Sequence, residues 1–223
     1  MRLMKFMKGR NVALIIILIV LADQALKIYI KTHYCVEEVH NILGTWFQLN
    51  FIENEGMAYG WKFGGGFGKI ILTLFRMIAV CFGVWYLYTI VKKKYHPGFI
   101  ICAALIFAGA LGNLIDSMFY GLIFNDSGLM QAATLFPKEG GYAPFLHGRV
   151  VDMLYFPLID GTFPNWFPIW GGESFIFFRP IFNLADASIS IGVITLLLFQ
   201  RKFFGHYHDD TTPAIDNDRS SNV

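Results

Sequence analysis

Two apolar stretches of this 223-residue chain each carry an amide and, three residues later, a carboxylate: Asn113-Leu114-Ile115-Asp116 and Asn183-Leu184-Ala185-Asp186. On a helix that spacing sets both polar groups on one face. An ionisable side chain in a bilayer costs at least ~2.5 kcal/mol, so it marks a functional site by default. Two carboxylates forced together in a poorly solvated site cannot both ionise; one pKa rises and a proton is shared. Such a pair can hold a water, one Asp removing its proton as it attacks a carbonyl while the protonated partner polarises the carbonyl oxygen. Peptide hydrolysis is the natural reaction. A proton or ion path and a purely structural polar cluster are the competing readings.

Other chemistries find less support. The six His residues form no H-E-x-x-H or other metal-ligand pattern, and no G-x-S-x-G elbow offers a serine nucleophile. Cys35, Cys81 and Cys102 lack metal-ligand spacing. A net charge of +2 gives no basis for a nucleic-acid partner.

The elements that must position these groups belong in a membrane. The chain is 55% hydrophobic and only 15% charged, with a mean hydropathy of +0.50, whereas ordinary soluble domains are about 25% charged. Four apolar runs, about 11–30, 67–91, 98–120 and 181–200, each approach the ~20 residues a spanning helix needs. The first follows Arg2, Lys5, Lys8 and Arg10 like the start of a secretory signal, but its apolar run exceeds the ~7–15 residues of such a signal and is expected to be a retained helix.

Basic residues at the N-terminus, at Lys92-Lys93-Lys94 and at Arg201-Lys202 put both ends in the cytoplasm by the positive-inside rule. Segments 31–66 and 121–180 then lie outside. In the first, Phe47, Leu49 and Phe51 alternate with Gln48 and Asn50, predicting a strand over 45–52 with one buried face. Residues 150–156, rich in β-branched and aromatic side chains, predict a second strand. Between them, 121–147 read as a loop, and 157–179 carry Trp166, Trp170 and several Phe suited to the headgroup zone. Residues 1–205 are expected to form one membrane domain and 206–223 a disordered cytoplasmic tail.

Helix rise converts position into depth. Measured from the basic boundaries, Asp116 lies ~33 Å, Asp186 ~22 Å and Asp23 ~20 Å toward the outside, while Asp152 comes from the second outer segment. The acidic groups thus converge near the outer interface, and none sits in the inner half of a span, which argues against an ion path. Asp23 and Lys27 are spaced i, i+4 for an ion pair. Asn54 opens the turn Asn54-Glu55-Gly56, whose glycine allows close backbone approach to a ligand. Asn113 and Asn183 equally suit hydrogen bonds between helices. Spacing alone does not choose between Asp116 and Asp152 as the partner of Asp186.

Four blocks in order carry a more specific signal: Asp23-Gln24-Ala25-Leu26-Lys27; Asn54-Glu55-Gly56-Met57-Ala58; Gly109 to Asp116 with Val150-Val151-Asp152; and Phe182-Asn183-Leu184-Ala185-Asp186. Together they resemble the bacterial lipoprotein signal peptidases, the signal peptidase II family. The resemblance implies a mainly α integral membrane enzyme of the cytoplasmic membrane, with four spanning helices, a small outer-face sheet and an extended outer loop. It implies removal of the signal peptide from a diacylglyceryl-modified prolipoprotein just before the lipidated cysteine. No metal or organic cofactor is implied. Asp152 and Asp186 fall on the catalytic dyad, and Asp23, Lys27, Asn54, Gly56, Asn113, Asp116 and Asn183 on positions that shape the site. Partners are expected to be the prolipoprotein and membrane lipid, with the protein acting as a monomer.

The chain departs from the family pattern twice. Most relatives have Arg directly after the Asp of the third block, where this chain has Ser117; Arg149, three residues before Asp152, is expected to substitute as a supporting residue. Relatives also join that Asp to Val-Val-Asp by only a few residues, whereas segment 117–149 intervenes here. A lid, a partner surface and a neutral insertion are the readings open for it.

Overall fold

The computed structural model describes residues 7–55, 65–177 and 179–204. Gly56 and the tail 206–223 lie outside the described residues. Five main helices and turns carry the bundle: α1 (Gly9–His33), α2 (Gly65–Lys92), α3 (Pro97–Ile115), the short α4 (Gly121–Ile123) and α5 (Leu184–Phe204). A π-helical turn, Asp116–Tyr120, joins α3 to α4. Helical segments Gly9–His33, Phe67–Lys92, Pro97–Ile123 and Leu184–Phe204 are long and apolar enough to cross a membrane. Four spans therefore exist where four apolar runs predicted them.

The third span is the central one. Half of its most apolar window is buried inside the protein, against 17% for each of the others, so three helices present mostly apolar faces outward, as lipid requires. Its start is fixed by Pro97 in the first turn and by His96, whose ring nitrogen accepts the Gly98 N–H at 3.1 Å. Close approach of α3 to α5 depends on small residues. A Cβ on Gly109 would collide with the Ala185 carbonyl oxygen, and one on Gly192 would come within 2.8 Å of the Cys102 carbonyl oxygen.

Outside the bundle lies a four-stranded antiparallel sheet in the order β1 (Val39–Leu43), β2 (Phe47–Asn54), β3 (Val150–Tyr155), β6 (Ile181–Phe182). The alternation read around 45–52 produces β2, displaced by two residues toward Asn54, and β3 follows 150–156 closely. Along β3 the period of two puts Val151 and Met153, both fully buried, into a core with Ile30, Phe51, Tyr120 and Phe124. Asp152 therefore points to the opposite face. Residues 157–179, read only as aromatic, contain a hairpin of β4 (Ile159–Thr162) and β5 (Ser174–Phe177). Rings of Phe163, Phe167, Trp170 and Phe175 pack on one another there, while Trp166 and Ile169 stay exposed.

Two boundaries differ from expectation. The last helix begins at Leu184 rather than 181, because Ile181 and Phe182 pair with Tyr155 and Leu154 as the edge of the sheet. The third span runs on to Ile123, its extra turns made possible by the π turn. Insertion 121–148 is mostly irregular but not loose. Backbone bonds from Val36 N–H to the Gly128 carbonyl (2.9 Å) and from Ala133 N–H to the Lys31 carbonyl (3.0 Å) tie it to the C-terminal end of α1.

The glycine geometry gives a clean contrast. Gly109→Ala should destabilise the bundle by about 1–3 kcal/mol through overpacking against backbone. Gly9→Ala, whose nearest foreign atom would be 3.9 Å from the new Cβ, should change stability by less than about 0.5 kcal/mol. Thermal melts of both variants in detergent micelles read the difference directly.

Candidate active site

Every acidic residue placed near the outer interface by depth reaches one cluster. Lys27, completely buried on α1, has an oxygen for each of its three N–H groups: Asp116 Oδ2 at 2.7 Å, Asn113 Oδ1 at 2.8 Å and Asp23 Oδ2 at 2.9 Å. The i, i+4 spacing of Asp23 and Lys27 thus closes as an ion pair, and Asp116 joins it from the π turn. Asp23 also accepts the Ala185 N–H at 2.9 Å, which ties α1 to the start of α5. Gln24 donates to Asp116 Oδ1 at 2.8 Å and accepts the Tyr120 hydroxyl at 3.1 Å.

From this buried centre two amides lead outward to the remaining carboxylates. Asn113 Nδ2 donates to Asp186 Oδ1 at 2.7 Å. Asn183 Nδ2 donates to Asp152 Oδ1 at 2.8 Å and to Asn113 Oδ1 at 3.1 Å. On β2, Asn54 lies diagonally across from Asp152, since Ile52 pairs with Asp152 and Asn54 with Val150. Asn54 Nδ2 reaches Asp152 Oδ2 at 3.3 Å. Burial, reinforced by the neighbouring charge of Asp186, pushes the Asp152 carboxyl up to about 7.

The two Asn-Leu-x-Asp phrases, read from sequence as equivalent, do different structural work. Asn183 is the N-cap of α5: its Oδ1 accepts the Asp186 N–H at 2.8 Å, and Asp186 Oδ2 reaches back to the Asn183 N–H at 3.5 Å. This is a capping box, and it holds Asp186 in the first turn, where free helical N–H groups favour negative charge. Asn113 and Asp116 instead close the C-terminal end of α3, where the helix widens into the π turn. Only the second phrase therefore sits at a helix start, and Asn183 is a cap rather than a residue of the helical face.

Arg149 does not take the place assigned to it. Its guanidinium pairs with Glu53 at 2.8 Å and Asp126 at 2.6 Å, and Lys31 pairs with the same Glu53 while donating to Ser127 Oγ at 2.7 Å. This second polar cluster fastens the insertion to α1 and β2. The guanidinium at Ser117 is that of Arg76, from α2, whose Nη1 donates to Ser117 Oγ at 2.8 Å. Sequence reading passed over Arg76, although a lone Arg between Phe75 and Met77 in an apolar run is itself the kind of signal that flagged the aspartates. Gly56 lies outside the described residues.

Among the described residues no group of His, Cys, Asp and Glu could hold a metal ion. Four apolar spans with this polar centre at one end of the bundle define a multi-pass membrane protein. A model of the family described as signal peptidase (SPase) II matches residues 15–202. The chain is 50% identical over 192 residues to a lipoprotein signal peptidase of Porphyromonas gingivalis, covering 86% of this chain and 83% of that one. It is 34% identical to the lipoprotein signal peptidase of Amoebophilus asiaticus over 84% of this chain and 76% of the relative. This chain belongs to the signal peptidase II family and is a membrane peptidase. Its fold matches a bacterial membrane enzyme solved by the in meso method at 2.3 Å, with a TM-score of 0.56, 23% identity and coverage of 100% of this chain and 99% of the other.

Removing Lys27 leaves Asp23 and Asp116 buried without their cation. Lys27→Met is expected to cost about 3–5 kcal/mol of stability. A Lys27→Met/Asp116→Asn double variant should recover part of that loss, read by thermal melting in micelles.

Proposed function

We propose that the protein is an aspartic endopeptidase that removes the signal peptide from diacylglyceryl-modified prolipoproteins, with Asp152 and Asp186 as its dyad. One observation carries the mechanism: a single buried amide, Asn183, bonds both residues, donating to the Asp152 carboxylate and accepting the Asp186 N–H. With its carboxyl raised to about 7, Asp152 carries the proton of this pair near neutral pH in this reading. Asp186 is the base and Asp152 the acid.

Asp186 removes a proton from water as its oxygen bonds to the scissile carbonyl carbon, and the Asp152 proton passes to the carbonyl oxygen. The resulting diol then collapses. Its C–N bond breaks, the proton on Asp186 goes to the departing amine, and a diol hydroxyl returns its proton to Asp152. No cofactor is required for this cycle. The family relationship supports the lipoprotein substrate, since the relatives from P. gingivalis and A. asiaticus are lipoprotein signal peptidases. The outward apolar faces of α1, α2 and α5 suit a substrate whose acyl chains stay in the bilayer.

Basic residues Lys8 and Arg10, Lys92 to Lys94, and Arg201 with Lys202 support an orientation with both ends in the cytoplasm and the site at the outer face of the cytoplasmic membrane. Asp23, Lys27, Asn54, Asn113, Asp116 and Asn183 hold the dyad in place in this reading, and Arg149 secures the insertion.

Cleavage of a diacylglyceryl-prolipoprotein in micelles tests the proposal. Asp152→Asn and Asp186→Asn should each lower turnover by roughly 10³-fold while remaining folded; near-wild-type turnover by either folded variant contradicts the dyad. The pH dependence has a definite sign. Asp152 must be protonated to act as the acid, so wild-type turnover should fall as pH rises through about 7. A rate flat across that range would remove Asp152 from the acid role.

A further inference from the structure

We propose that Arg76 is a positioning residue of this reaction: braced by Ser117, its guanidinium adds to Lys27 a second positive charge that favours ionisation of one member of the Asp152 and Asp186 pair. The inference rests on the dyad reading. It starts from where Arg76 lies. A guanidinium in the apolar run of α2 is costly unless it is paired, and Arg76 is only partly buried, reaching inward to the π turn. Its Nη1 donates to Ser117 Oγ at 2.8 Å, and that hydroxyl donates onward to the Asn113 carbonyl at 2.9 Å. Ser117 is 1% exposed, so the contact is an internal one. The carboxylates that act on the Arg76 charge are Asp186 first, then Asp116 and Asp152.

The charges around the dyad explain why this cation matters. On α1, Lys27 is held between Asp23 and Asp116, and its charge also reaches Asp152. On β2, Glu53 is matched by Lys31 and Arg149. Lys69, also on α2, is a further cation; its buried Nζ has no hydrogen-bond partner among the described residues, and Glu55 and Glu53 act on its charge without pairing it. Lys27 acts on Asp152 from α1, and Arg76, from α2, is the second cation whose charge reaches Asp186 and Asp152. Arg does not lose its proton in this range, so the support is permanent.

Because Arg76 and position 117 meet at hydrogen-bond distance, the charge can be moved between them. An Arg at 117, with the 76 side chain shortened, would put a guanidinium into the same space. The experiment compares the pH profile of prolipoprotein cleavage for wild type, Arg76→Gln, Arg76→Ala/Ser117→Arg and Asp152→Asn, each checked for folding by thermal melting in micelles. Loss of the nearby cation disfavours ionisation, so the alkaline limb of Arg76→Gln should move up by about one unit, and the double variant should return it toward wild type. If Arg76→Gln turns over too slowly for a profile, recovery of turnover in the double variant becomes the deciding result.

A wild-type limb in Arg76→Gln overturns the proposal. So does a slower rate with the limb unmoved, which is the signature of a merely structural role, and so does a failure of the double variant to recover. Turnover by Asp152→Asn would instead overturn the dyad reading, leaving the two failures distinct.

Discussion

The structure depends on one fully buried ammonium. Lys27 has no water to solvate it, and an isolated charge in such surroundings is prohibitive. It is stable because three oxygens from two segments of chain surround it: Asp23 one turn away on α1, and Asn113 and Asp116 from the end of the third span. Those contacts fix the register of α1 against α3. Through the Asp23 bond to the Ala185 N–H they also fix the start of α5. Three spans are locked at one level by a single cation, in a place where the hydrophobic effect gives no preference for protein over lipid.

The same ammonium sets the direction of every hydrogen bond beyond it. Lys27 can only donate, so Asn113 must face it with its carbonyl oxygen and its Nδ2 must face Asp186. Asn113 Oδ1 then also accepts from Asn183 Nδ2, which turns the second hydrogen of that amide to Asp152. Both carboxylates therefore receive their shorter amide contact on Oδ1 and a longer one on Oδ2. Asn54 at 3.3 Å and the Asn183 N–H at 3.5 Å are the longer contacts on that side. The hydrogen-bond geometry of the site is set by a fully buried residue.

Much of this was legible in the sequence, for identifiable reasons. Spanning runs follow from length and apolarity, β2 from alternation, β3 from its β-branched and aromatic residues, and the convergence of Asp23, Asp116 and Asp186 from depth along helices of known rise, with Asp152 joining them from its segment. What stayed hidden depends on competition between elements. Ile181 and Phe182 look helical until Leu154 and Tyr155 offer them a strand, and that is what makes Asn183 a cap. A π turn leaves no pattern in the residue types, yet it sets Asp116 and Ser117 inward together. Arg149 was close to Asp152 in sequence but not in orientation: position 149 precedes β3, and Glu53 and Asp126 capture its side chain. Arg76 was visible as an intramembrane cation, and only the packing of α2 on the third span supplied its partner.

The central claim is that the aspartates on β3 and α5 hold one proton between them near neutral pH. Infrared difference spectroscopy of the protein in micelles, titrated across the neutral range, reads that proton directly. The expected result is a carboxylic-acid C=O band that is present below neutrality, is lost as pH rises through about 7, and is missing or displaced in Asp152→Asn. A spectrum with no protonated carboxyl near neutral pH, or with a band that is unchanged in Asp152→Asn, would contradict it.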